Sequence, residues 1–137
     1  MRAFPIRIPA RRDLRAALES VLAEQRVTAA FVLQGIGSLS VAQLRLAGAK
    51  QSTELRSDLE ILTLAGSLSP DGAHLHITVA DAQGHVLGGH VASGCIVRTT
   101  AEVLLALLPE HRFAREPDTV SGFDELAIWP RSDPGHI

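Results

Sequence analysis

Four of the six histidines in this 137-residue chain fall within one stretch, "HLHITVADAQGHVLGGH", from His74 to His90. Imidazole is the commonest metal ligand and titrates near neutrality, so such a cluster points to metal binding or proton transfer. In an extended strand successive side chains alternate faces, which puts His74 and His76 on one side and Leu75 on the other. Whether His90 joins them depends on hairpin register. In "DAQGH", Asp81 suits the first position of a type I turn and Gly84 the left-handed position of a three-residue loop with a G1 bulge. That loop pairs Asp81 with His85, Ala80 with Val86, Thr78 with Gly88 and His76 with His90. Directly paired Cβ atoms lie about 4.5 to 5.5 Å apart and a diagonal neighbour such as His74 about 7 to 8 Å away. Three imidazoles so placed reach one ion at roughly 2.0 to 2.1 Å. A two-residue loop would instead pair Asp81 with Gly84 and set His90 opposite Leu75, on the wrong face. Gly88 and Gly89 either add a further bulge or let another backbone approach closely. His85 belongs to the opposite face and is left out of the site.

Three histidines without a neighbouring cysteine make zinc the first choice of metal, with iron or another divalent ion second. Three protein ligands leave a coordination position open for chemistry; a structural ion on a dimer or trimer axis is the alternative. Two carboxylates, Glu60 in "DLEILTLAG" and Glu102 in "TTAEVLLALL", stand in apolar surroundings where an unpaired charge is costly. Each is a candidate second-sphere orienter, extra ligand or general acid/base, or the partner of Arg98 or Arg45 in a salt bridge. No G-x-S-x-G elbow or other nucleophile for covalent catalysis is evident.

The elements that must position these residues are mostly strands. A short strand around Ile6 and Ile8 leads to Asp13, placed as the N-cap of an amphipathic helix over about 13–25, whose Leu14, Ala17, Leu18, Val21 and Leu22 fall at helical spacing. Residues 27–33, 40–46, 59–68, 74–80, 85–92 and 95–100 read as strands, separated by Gly, Asp, Ser or Pro. The run 101–108 fits a buried strand or a short helix equally well. "QGIGSLS" (34–40) lacks the third glycine and following helix of a dinucleotide loop, so its glycines shape a turn or bulge. The expected fold is α+β: antiparallel sheets of six or more strands with one principal helix, in a single domain with a core over about 6–128 and a loose tail over 129–137.

Composition narrows the function classes. Hydrophobic residues make up 46% and aromatics only 4%, with no Tyr, which builds an aliphatic core but few stacking platforms for bases. A net charge of −2 offers no global attraction to nucleic acid. Arg2, Arg7, Arg11, Arg12 and Arg15 near the helix start read as a solvated face, with an anion site as the lesser alternative. The lone Cys95 forms no intrachain disulfide and reads as core. Without a signal-like apolar run or a long apolar span, the chain is expected to be soluble and cytoplasmic.

The segments "GIGSLS", "EILTLAGSLS", "HLHITVAD" and "GGHVASG", in that order, resemble the PPC (plants-and-prokaryotes conserved) domain in its stand-alone prokaryotic form. The resemblance runs from about Ile6 to Ile128. It implies an α+β fold, a homotrimer and a metal site on the H-x-H and G-G-H histidines, here His74, His76 and His90. It also implies distant structural kinship with acetolactate decarboxylase and a human zinc-dependent ester hydrolase. Members are often labelled DNA-binding because plant forms carry AT-hooks built on Arg-Gly-Arg-Pro. This chain has none, and its nearest approach, "ARRD", lacks the Gly and Pro that fit a minor groove. Three functions follow as expectations: a trimeric zinc-binding module whose catalytic standing is open, a DNA-associated regulator, and a small-molecule sensor.

Overall fold

The computed structural model describes residues 1–131. Eight strands and one helix follow in the order β1 (Arg2–Pro9), α1 (Leu14–Gln25), β2 (Ala30–Arg45), β3 (Thr53–Ser69), β4 (Gly72–Ala80), β5 (Val86–Val91), β6 (Ile96–Leu107), β7 (His111–Pro117) and β8 (Asp124–Pro130). The first six strands form one antiparallel sheet in the order β1-β6-β2-β3-β4-β5. β5 also pairs with the far end of β2, through Leu44↔Val91 and Arg45↔His90. The sheet therefore curls and closes on itself, which buries one face without a second layer of strands. Strands β7 and β8 make a separate hairpin. It docks through Phe113, whose N–H donates to the Thr28 carbonyl at 3.2 Å and whose ring meets Phe31 edge-on at 5.7 Å.

Helix α1 forms where the apolar spacing expects it. Asp13 caps it, one carboxylate oxygen accepting from the Ala16 N–H at 2.9 Å and the other from the Gly94 N–H at 2.7 Å. The cap thus ties the helix start to the turn before β6. Leu14, Leu18, Val21 and Leu22 are buried beneath the sheet, each side chain contributing about 1.5 to 3 kcal/mol.

Two expectations change and one open alternative is decided. "QGIGSLS" is the middle of a continuous 16-residue strand, β2, with register shifts against β6 around Gln34 and Leu39. Where β2 leaves the β3 ladder, the Gln34 side-chain oxygen accepts from the Gly35 and Leu64 N–H groups at 2.9 and 3.0 Å, standing in for a backbone carbonyl. Residues 101–107 continue β6 as strand, with Ala101, Val103, Leu105 and Leu107 inward and Glu102 and Leu104 outward. The expected tail is strand at its start. Trp129 and Pro130 belong to β8, and the Arg131 N–H donates to the Glu110 carbonyl at 2.8 Å. The rest of the expected loose tail, 132–137, lies outside the described residues. Among those described, no helix is long and apolar enough to cross a membrane.

Candidate metal centre

Strand β4 alternates cleanly. Ala73, Leu75, Ile77 and Val79 enter the core, so His74, His76 and Thr78 must face the other way. The turn then decides the register of β5. Gly84 takes φ +82°, its N–H donates to the Asp81 carbonyl, and the Asp81 N–H donates to the His85 carbonyl, both at 3.0 Å. The Asp81 carboxylate fastens the loop further, accepting from the N–H groups of Gln83 and His85 at 3.0 and 2.9 Å. This three-residue loop sets Ala80↔Val86, Thr78↔Gly88 and His76↔His90. Gly88 and Gly89 add no bulge to the β4–β5 ladder. Gly89 instead lets β2 come close, since a Cβ there would lie 2.9 Å from the Arg45 carbonyl oxygen.

A single row of directly paired residues results, Ala65, His76, His90 and Arg45, crossing β3, β4, β5 and β2. His74 stands one step along β4, opposite Ser67. The ring centroids of His76 and His90 are 4.7 Å apart, those of His74 and His76 5.0 Å, and those of His74 and His90 5.6 Å. Each ring offers a nitrogen, and the three nitrogens lie within 4.8 Å of one another. Tetrahedral coordination at about 2.05 Å sets ligand atoms roughly 3.3 Å apart, a closure within the reach of small χ2 rotations. The donor set fits a borderline metal such as zinc.

The local field favours the form a metal needs. Burial pulls the pKa of His74 below the ordinary value, followed by the Arg115 guanidinium and the other two imidazoles, while Glu125 opposes them. His90 is lowered by burial, then by Arg45 and His76. Both rings are thus held neutral, with a lone pair free for coordination.

A cavity of about 550 Å³ opens over the three rings, and Arg45, Arg115 and Glu125 share its wall. The carboxylates singled out in the sequence are elsewhere. Glu60 lies opposite Ala80, four residues along β4 from His76, or roughly 13 Å. Glu102 is on β6, opposite Arg7 of β1 and Ile36 of β2. Both are exposed, because period-two alternation sends them outward between inward apolar neighbours. Their expected salt bridges do not form: Arg98 pairs with Asp58 at 3.3 Å, and Arg45 donates to the Ala49 carbonyl at 3.4 Å. Sequence reasoning missed Arg115, Asp124 and Glu125, which reach the cavity from the β7–β8 hairpin. Their one signal was a pair of short alternating runs, 111–117 and 124–130, around "DTVSGF".

A model of the Plants and Prokaryotes Conserved (PCC) domain matches residues 1–109. A hypothetical protein from Salmonella enterica has the same fold, with 37% identity and a TM-score of 0.92 over 96% of this chain and 95% of that one. A metal-containing protein from Archaeoglobus fulgidus matches at 26% identity and a TM-score of 0.79, over 93% and 94% of the two chains. A candidate DNA-binding protein from Ralstonia eutropha matches at 25% identity and a TM-score of 0.72, over 90% and 89%. Among curated proteins, the bifunctional protein GlmU of a Synechococcus strain is 49% identical over 130 residues, 95% of this chain. The chain spans only 21% of that relative's length.

Proposed function

This chain belongs to the Plants and Prokaryotes Conserved domain family, and on that premise we propose that it is a metal-binding protein that holds zinc, or another divalent ion, on His74, His76 and His90. The observation that carries the reading is the convergence of three imidazoles, one nitrogen of each within 4.8 Å of the others. The metal-containing Archaeoglobus relative supports it. A divalent ion held by these three residues would supply Lewis acidity. Glu125, on the wall of the same cavity, is a carboxylate that could hold or move a proton there.

Metal analysis of protein purified without chelator tests this, with His76→Ala alongside. The expected result is about one equivalent of zinc or a similar ion in wild type and a small fraction of that in the variant. Wild type that carries none, and takes up none from added zinc, removes the proposal.

We propose self-association as well, as a homotrimer. Leu33, Ile36, Leu62 and Leu104 stand exposed on the adjacent strands β2, β3 and β6, an apolar face that a second copy would cover. Sedimentation equilibrium at micromolar concentration reads the mass directly, and a 14.6 kDa species alone ends this part. The description of the Ralstonia relative favours DNA as a second reading, for which Arg2, Arg7, Arg11 and Arg12 would be the contact surface. A mobility-shift series over salt tests it, because phosphate-driven binding weakens steeply as salt rises.

A further inference from the structure

The cavity over the histidines holds two guanidinium groups that the metal does not explain. Arg45 is the cross-strand neighbour of His90, and Arg115 enters from β7; both line the 550 Å³ cavity and a second one of about 280 Å³ that continues from it past His74 and His90. Both are half-buried, and neither is in an ion pair among the described residues. That is unexpected, because Asp71, Asp124 and Glu125 line the same walls. Two of these acids are engaged elsewhere: Asp71 accepts from the Arg115 backbone N–H at 2.9 Å, and Glu125 from the Ser121 hydroxyl at 3.2 Å; Asp124 meets Arg115 through its backbone carbonyl and not through its carboxylate.

Each guanidinium is steadied by one backbone carbonyl, Arg115 by that of Asp124 at 2.6 Å and Arg45 by that of Ala49 at 3.4 Å. Most of the five N–H donors on each remain available. Arg15, on the wall of the smaller cavity, makes the contrast: Glu19 at 3.0 Å and the Val91 carbonyl at 2.9 Å already engage it. A half-buried cation without a counter-ion is costly, and its planar fork matches a carboxylate or phosphate bidentately.

We infer that Arg45 and Arg115 form an oxyanion subsite beside the histidines, so that the ligand of this cavity is a small carboxylate- or phosphate-bearing molecule. The inference builds on the metal reading by naming the ligand class of that cavity, yet the subsite binds without the ion. A divalent ion on the histidines would add to its positive field and bring one end of the anion to the open coordination position.

The test is an NMR titration of metal-free protein at neutral pH and constant ionic strength, using inorganic phosphate and, separately, malonate. Saturable shifts are expected at the amides of Arg45, His90 and Arg115, with whichever probe binds more tightly identifying the oxyanion. Affinity is expected to fall about tenfold in Arg45→Gln and in Arg115→Gln and to stay unchanged in Arg98→Gln, whose guanidinium pairs with Asp58. Arg115→Lys, which keeps charge but loses the fork, replaces Arg115→Gln if the latter does not fold. No saturable binding, equal binding by the arginine variants, or shifts confined to another surface overturns the inference. Zinc uptake measured on the same samples separates the two readings. Arginine-dependent anion binding without zinc uptake defeats the metal alone, whereas zinc uptake without anion binding defeats the subsite alone.

Discussion

The two ends of the β4–β5 hairpin use histidine in opposite ways. At the turn, His85 places Nδ1 3.2 Å from the Asp81 carboxylate, and its side chain is 82% exposed. At the stem, His74, His76 and His90 face one another, Arg45, Arg115 and Glu125 share the cavity wall, and among the described residues no carboxylate joins the cluster. An exposed imidazole paired with an acid in the same turn contributes little energy and offers no shared point for a ligand. At His74 and His90, burial first and then nearby cationic groups lower the pKa and favour the neutral ring, with Glu125 opposing at His74. The difference comes from the backbone. The stem is where β3, β4, β5 and β2 are all in register, whereas the turn has only its own loop to lean on.

The most severe way to break the stem is through that backbone. Gly66 takes φ +156°, opposite Leu75 and between the partners of His74 and His76, and a Cβ there would run into the His74 carbonyl oxygen. Gly66→Ala is expected to cost about 3 kcal/mol or more, from the disfavoured φ and the backbone clash together. Urea denaturation reads the loss. A variant as stable as wild type would show that β3 and β4 need no close approach at this point.

Zinc itself sharpens the comparison next. An ion that binds only the folded chain stabilises it by about 2.7 kcal/mol at a hundred times its Kd. Thermal melts with and without added zinc are expected to separate by that amount for wild type and for His85→Ala, and to coincide for His76→Ala. An equal response from His76→Ala would move the metal away from the stem.

How much of this contrast was legible beforehand follows from what is local. Helix α1 was readable because Asp13 and five apolar residues at helical spacing act within a dozen residues. The His76↔His90 pairing was readable because "DAQGH" encodes its loop type through Gly84 and Asp81. Arg45 could not be placed beside His90, because the β2–β5 pairing brings together residues 45 positions apart after the sheet has curled. Arg115 and Glu125 were invisible for the same reason, since only the docking of Phe113 on Phe31 carries their hairpin to the cavity. Glu60 and Glu102 have apolar sequence neighbours but exposed surroundings. In a strand the neighbours in sequence lie on the other face.

At the turn end, losses are expected to be smaller and to spare the metal. Asp81→Ala removes the acceptor of two backbone N–H groups and is expected to lower stability by less than Gly66→Ala does. His85→Ala is expected to cost less than about 0.5 kcal/mol, the scale of an exposed pair. Both are expected to keep the zinc stoichiometry of wild type. A drop in bound zinc for either would mean that the turn does more than set register.

The gentlest probe is pH, because the two ends titrate in different windows. Burial first, then nearby cationic groups, hold His74 and His90 below the ordinary imidazole value of 6.5. The unfolded chain therefore takes up protons at these two sites before the native state does. Their neutral forms support the fold fully above about pH 6.5, and that support is lost as pH falls below it. Asp81 is held below 3.8 chiefly by the His85 backbone N–H, with Gln83 adding to it and burial opposing. Its contribution is complete above that value and disappears only as pH falls through its lower native one. In metal-free protein the urea midpoint is expected to decline between about pH 7 and about pH 5 for wild type and Asp81→Ala alike, and to decline less for His74→Gln. A second decline, below about pH 4, is expected to be weaker in Asp81→Ala. If His74→Gln left the first decline untouched, the stem histidines would not be the groups that the fold holds neutral.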